Sequence, residues 1–231
     1  MAIYITGDTH GNVQSRLWDG AFPVSLLNLN EENVVVVTGD FGVIGEPNEH
    51  ITLAWLEKRP YIVCFIDGNH DNYDRLKHYK AVKFKGGMAH QINNNVYHLL
   101  RGEVYHIANK SIFTFGGAKS VDRDRRVLNV SYWAEEMPSD EEYKNGFANL
   151  KKYDNKVDYI LTHTCSSTIL DQLPKSWFWD SKMYIDEVNL YFDGILSQVS
   201  FKYWLFGHFH RNMKVNDSHR AIYNDIIKLT E

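Results

Sequence analysis

The stretch VVVVTGDFGVIGEPNEHITLAWLEKRPYIVCFIDGNHD, residues 34–71, contains two apolar runs, Val34–Thr38 and Tyr61–Ile66. GDFGVIG follows the first and DGNHD the second. Neither run alternates apolar with polar residues, and an unbroken apolar run of strand length is the pattern of a strand buried on both faces. Between them, Asn48–Arg59 sets Ile51, Leu53, Ala54 and Leu56 at helical spacing, and Pro60 stops the segment. Two doubly buried strands joined by a helix predict a layered α/β fold.

The same pattern recurs on both sides. Ile3–Thr6 leads into GDTHGN, Ser111–Phe115 into GGAKS, Val157–Thr162 into HTCSS, and Phe201–Phe206 into GHFH. Ser139 and Glu142 form a capping-box pair ahead of Tyr143, Phe147 and Leu150, which predicts a second covering helix. Gly116–Pro138 is charged and has no period. No Pro/Gly/Ser-rich linker or internal repeat divides the 231 residues, so the chain reads as one domain over 1–231.

With 44% hydrophobic and 23% charged residues the chain can fill a core, which excludes whole-chain disorder. A net charge of −4 disfavours long nucleic acid as a partner, because such proteins neutralise phosphates with surplus Lys and Arg. The opening MAIYITGDTH leaves no room for an export signal, and the run Tyr61–Ile66 is far short of the ~20 residues of a membrane helix. Cys64 and Cys165 are the only cysteines, which is no disulfide framework; the expected compartment is the reducing cytoplasm, without membrane attachment.

Open α/β sheets gather ligands beyond the carboxyl ends of their strands, and that is where the polar clusters fall. In Asp8-Thr9-His10 the spacing of two directs both side chains to one side of extended backbone, and His208-Phe209-His210 repeats it. Asp40 and Asn69 each follow a glycine at a strand end, and His163 follows a strand directly. Carboxylate, amide and imidazole donors suit Mn²⁺, Fe²⁺, Zn²⁺ or Ni²⁺. Seven donors exceed one tetrahedral ion and suit a pair about 3.5–4 Å apart.

GDTH at 7–10, GD at 39–40, GNHD at 68–71, His163 and GHFH at 207–210 follow one another in the order of the calcineurin-like metallophosphoesterase superfamily, which this chain resembles over nearly its whole length. The resemblance implies two packed mixed β-sheets flanked by helices in an α/β/β/α arrangement. It implies two divalent ions, manganese favoured over iron, zinc, nickel or magnesium. Asp8, His10 and His210 would hold one ion and Asn69, His163 and His208 the other, with Asp40 shared. The implied activity is hydrolysis of a phosphomonoester or phosphodiester, with nucleotides and other small esters favoured, by a hydroxide held between the ions. His70 would protonate the leaving oxygen. Oligomeric state is not legible.

One departure concerns the substrate. The phosphoprotein phosphatases of the superfamily extend the second motif to GDxVDRG, where the added Asp orients the catalytic histidine; here the segment is GDFGVIG, with Val43 at that place. A phosphoprotein phosphatase is thus one alternative, and a non-catalytic scaffold of the same fold is another. Arg123, Arg125 and Arg126 could grip phosphate oxygens through their guanidinium forks, or could pair with Asp122 and Asp124 in a solvated loop. Trp177, Phe178, Trp179 and Tyr184 form either a base-stacking wall or ordinary packing. Asp71 reads as a loop hydrogen-bonder and Cys165 as a small packed residue. The other histidines, at 50, 78, 90, 98, 106 and 219, have no ligand spacing.

Overall fold

Strands β1 (Ile3–Thr6), β2 (Asn33–Thr38) and β3 (Tyr61–Ile66) lie side by side in parallel, and every residue in them is buried. Successive strand side chains point to opposite faces, so each run feeds two cores. Ile3, Ile5, Val34, Val36, Ile62 and Cys64 enter one cluster, while Tyr4, Val35, Val37, Val63 and Phe65 enter another. Burial on both faces is why these runs carry no polar alternation. The computed structural model describes residues 1–18, 20, 22, 27, 28, 30, 32–177 and 184–229.

The first sheet is completed by β4 (Ala81–Phe84), β5 (Gly87–Gln91), β6 (Val96–Leu99) and β13 (Ile226–Leu229), in the order β13-β1-β2-β3-β6-β5-β4. The second contains β7 (Glu103–Ile107), β8 (Lys110–Phe115), β9 (Tyr159–Thr162), β10 (Tyr203–Phe206), β11 (Met213–Lys214) and β12 (His219–Ala221), in the order β11-β12-β10-β9-β8-β7. Both sheets are mixed, with parallel strands at the centre and antiparallel strands at the edges. Ile107, Ile112, Tyr159, Leu161 and Leu205 meet the first sheet's inner residues in the cluster between the sheets.

Helices close the outer faces. Val13 of α1 (Val13–Arg16), Leu56 of α2 (Glu49–Glu57) and Leu76 of α3 (Tyr73–Leu76) cover the first sheet. Leu150 of α4 (Asp140–Lys152), Ile169 of α5 (Ser167–Leu170) and Phe192 of α6 (Glu187–Gln198) cover the second. The expected α/β/β/α layering is what forms. The Ser139 hydroxyl accepts from the Glu142 N–H and the Glu142 carboxylate accepts from the Ser139 N–H, so the capping box starts α4 as read.

Element limits differ in places. α2 ends at Glu57, short of Pro60, because the ring of a proline disfavours helical backbone in the residue before it. Ile51, at helical spacing in the sequence, is 54% exposed, and Leu56 carries the helix's burial. β9 begins at Tyr159 and β10 at Tyr203, two residues later than their apolar runs suggest. Cys64 and Cys165 are buried free thiols, and burial pushes both thiol pKa values up. Among the described residues no helix is long and apolar enough to cross a membrane.

Candidate metal centre

The parallel strands end together, and the loops after β1, β2, β3, β9 and β10 bring their donors to one place. Asp8, His10, Asp40 and His210 each offer a ligand atom within 4.8 Å of the others. His10 Nε2 lies 2.9 Å from His210 Nε2 and 3.6 Å from Asp40 Oδ2, and His210 Nε2 lies 3.2 Å from Asp8 Oδ2. On the other side of Asp40, His163 Nε2 is 3.6 Å from Asp40 Oδ1 and 3.0 Å from Asn69 Oδ1. The His208 ring meets His163 edge-on with centroids 4.9 Å apart. Asp40 therefore turns one oxygen toward each group.

The chemistry of these atoms fits a cation. His163 Nδ1 donates to the Thr38 carbonyl at 3.0 Å, so the neutral ring aims its Nε2 lone pair at Asn69 Oδ1. Asn69 is held with that oxygen inward because its Nδ2 donates to Ser120 Oγ at 3.1 Å. Two acceptors at such a distance need positive charge between them, a proton or a metal ion. Burial pushes Asp40 up to about 7. Burial disfavours a charged His163, but the carboxylates of Asp40 and Asp8 outweigh it and raise its pKa. Protons and a divalent ion would therefore compete for these atoms.

The backbone is bent to allow this. His10, Asp40, His208 and His210 have φ of 44°, 47°, 68° and 49°, in the left-handed region that non-glycine residues avoid at a cost of roughly 1–3 kcal/mol each. Such strain concentrates at functional sites, where the surrounding structure imposes it. Space is equally tight. A Cβ on Gly207 would stand 2.2 Å from Asp8 Oδ1, and one on Gly39, itself at φ 96°, 2.0 Å from His163 Nδ1. Those glycines admit a donor from the facing sheet, Asp8 after β1 beside Gly207 after β10, and His163 after β9 beside Gly39 after β2.

A second layer holds the first, and most of it is invisible in sequence. Ser120 Oγ donates to Glu136, which is fully buried and also accepts from Arg123 Nε. Arg16 donates to the carbonyls of Asp8 and Tyr223 at 3.3 and 2.5 Å. Asp71 accepts from the N–H groups of Phe41, Gly42 and Gly68, as a loop hydrogen-bonder would. Asp67 is gripped by Arg101 Nε at 2.8 Å and by His98 Nε2 at 3.0 Å.

His70 stands beside the centre, its N–H bonded to Asp40 Oδ1 at 2.8 Å. Its ring partner is Arg126, whose Nη1 donates to Nδ1 at 3.0 Å, while Arg126 Nε is held by Asp122 at 2.6 Å. Burial and then the Arg126 charge push His70 down to about 4, so the ring is neutral at pH 7. Val43 is buried in the apolar cluster under the first sheet and supplies no carboxylate. Of the three candidate arginines, Arg126 reaches the site, Arg123 is engaged with Glu136, and Arg125 is exposed. Trp177 and Tyr184 line a cavity of about 310 Å³ over Asp40, Asn69, His208 and His210. Phe178 and Trp179 lie outside the described residues.

Compared with known families, residues 1–212 match the calcineurin-like phosphoesterases. The search of curated proteins gives no match. A match that spans nearly the whole chain, together with the two-sheet fold and the Asp/His cluster, places the protein: it belongs to the calcineurin-like phosphoesterase family.

Proposed function

We propose that this chain, as a single catalytic unit, is a metal-dependent phosphoesterase. Asp8, His10 and His210 would hold one divalent ion and Asn69, His163 and His208 a second, with Asp40 shared. The observation that carries this reading is the two-sided presentation of Asp40, one oxygen toward His10 and the other toward His163. Ions bound there would supply Lewis-acid polarisation of phosphoryl oxygens and a water of lowered pKa. Manganese suits a mixed carboxylate, amide and imidazole set. Retention of every donor argues for the enzyme over the scaffold. Val43 in place of a carboxylate argues against a phosphoprotein substrate.

The chain's own residues do the rest. Arg126 lines the cavity, and its guanidinium can pair with phosphate oxygens. While it donates to Nδ1, His70 keeps its proton on Nε2 as a neutral ring, a poor acid. His70 protonates a leaving oxygen once Arg126 turns from the ring to the phosphate. Replacing His70 with Ala should leave metal content unchanged and slow turnover by about 10²–10⁴-fold, least for esters with good leaving groups. Loss of metal from that variant, measured by elemental analysis, would make His70 a ligand instead.

The reading as a whole is tested by manganese-dependent cleavage of p-nitrophenyl phosphate and of its bis-ester. No turnover of either by protein containing metal would count for the scaffold. Metal binding should also depend on pH. Asp40 must ionise to ligate, and in the metal-free protein its pKa is pushed up to about 7, so affinity falls as pH drops below that value. Calorimetry should give a manganese Kd about tenfold weaker at pH 6 than at pH 8. Equal affinities would remove Asp40 from the ligand set.

A further inference from the structure

Two cavities flank the centre, and His70 and Arg126 line both. The smaller, about 310 Å³, contains four of the metal-centre donors and is walled by Trp177, Tyr184 and Phe209. Its aromatic wall is continuous with the centre, the Tyr184 ring standing 6.2 Å from His208 and 6.3 Å from Phe209 between centroids. The larger, about 560 Å³, touches the centre through His10 and continues past Gly42 to Asn12, Glu46, Asn48 and Thr52. Each falls within the roughly 300–1,000 Å³ of cavities that hold organic ligands.

A phosphomonoester has one organic arm and would leave one of these cavities unfilled, whereas a diester has two. Charge points the same way. Arg126 is the one Lys or Arg lining either cavity among the described residues, and it is already paired with Asp122, which lines the smaller one. Glu46 and Glu49 line the larger. Apart from bound metal, that surrounding suits the single negative charge of a diester better than the two of a monoester.

Resting on the phosphoesterase reading above, we propose that the substrate is a phosphodiester that spans His70 and Arg126. A nucleobase or similar ring on its retained arm stacks against Trp177, Tyr184 and Phe209. Its leaving arm, a hydroxyl-rich alcohol, lies in the larger cavity among Asn12, Glu46 and Asn48. Water's oxygen bonds to phosphorus and the P–O bond to the leaving arm breaks. One proton of the water ends on the released alcohol, and the other stays with the monoester product in the smaller cavity.

Three esters with one leaving group test this on manganese-loaded protein: p-nitrophenyl phosphate, methyl p-nitrophenyl phosphate and thymidine 5′-(p-nitrophenyl phosphate). The thymidine ester should exceed both others in kcat/KM by about tenfold or more, the scale of one stacked base. Trp177→Ala should lower that value about tenfold more for the thymidine ester than for the methyl ester. It should weaken calorimetric binding of thymidine 5′-monophosphate by a similar factor, and Tyr184→Ala serves as a second variant. Preference for the monoester, or equal rates for the two diesters, would overturn the proposal while the phosphoesterase reading stands. Cleavage of none of the three by metal-containing protein would overturn both.

Discussion

Asp40→Ala should abolish turnover and metal pairing together. Its Oδ2 faces His10 and its Oδ1 faces His163, each at 3.6 Å, so one substitution takes an oxygen from both sides at once. The same carboxylate accepts the His70 N–H at 2.8 Å, and its loss also frees the loop that presents Asn69 and His70. Removing one preorganised charge-stabilising group from an active site typically costs 10²–10³-fold, and here the proposed shared ligand and a loop anchor would go with it. The expected loss in kcat is therefore at least about 10³-fold. Metal content should fall from two ions per chain to one or none. Asp40→Asn separates charge from shape and should fail nearly as badly, because a neutral amide cannot balance two cations. An Asp40→Ala protein that keeps both ions and a rate within roughly tenfold of the parent would refute the shared-ligand assignment.

The largest effect on stability is expected at Arg101, away from the donors. Its Nε and Nη2 reach Asp67 Oδ2 at 2.8 and 2.5 Å, Nη2 also donates to the Tyr73 hydroxyl and the Glu135 carbonyl, and Nη1 reaches Glu142 at 3.3 Å. Both partners of the ion pair are nearly inaccessible, at 4% and 1% side-chain exposure. Burial alone would raise the Asp67 pKa, but Arg101 and His98 outweigh it and hold the carboxyl well below its usual range. Arg101→Met deletes the cation and leaves that carboxylate buried, which costs about 3–5 kcal/mol. Because Asp67 begins the turn into Gly68-Asn69-His70, metal affinity should weaken as well. Urea unfolding of the metal-free protein measures the first effect, and a loss under about 1 kcal/mol would show that the pair contributes little. The double variant Asp67→Asn with Arg101→Met should recover part of the stability, since it removes the stranded charge.

What was legible in the sequence follows from how each feature is encoded. β1, β2 and β3 are buried on both faces, so composition alone marks them, and Asp8, Asp40, Asn69, His163 and His208 follow strand ends within three residues. The capping box at Ser139 is local and needs no partner elsewhere. Strands β4 to β7 and β11 to β13 escaped because they are short, lie at or near sheet edges and are not buried throughout, Ala81–Phe84 burying only Phe84. The pairing of His70 with Arg126, 56 residues on, and of Asn69 with Ser120, 51 residues on, was beyond reach for a different reason. No spacing rule links residues whose contact depends on how an aperiodic loop, Gly116–Pro138, crosses the ends of two sheets. By itself the sequence determined which donors are available and near which strand ends they stand. Only the tertiary structure decided that Asp40 faces both groups, that an arginine holds His70 where Val43 supplies no carboxylate, and that two cavities of unlike character open from one centre.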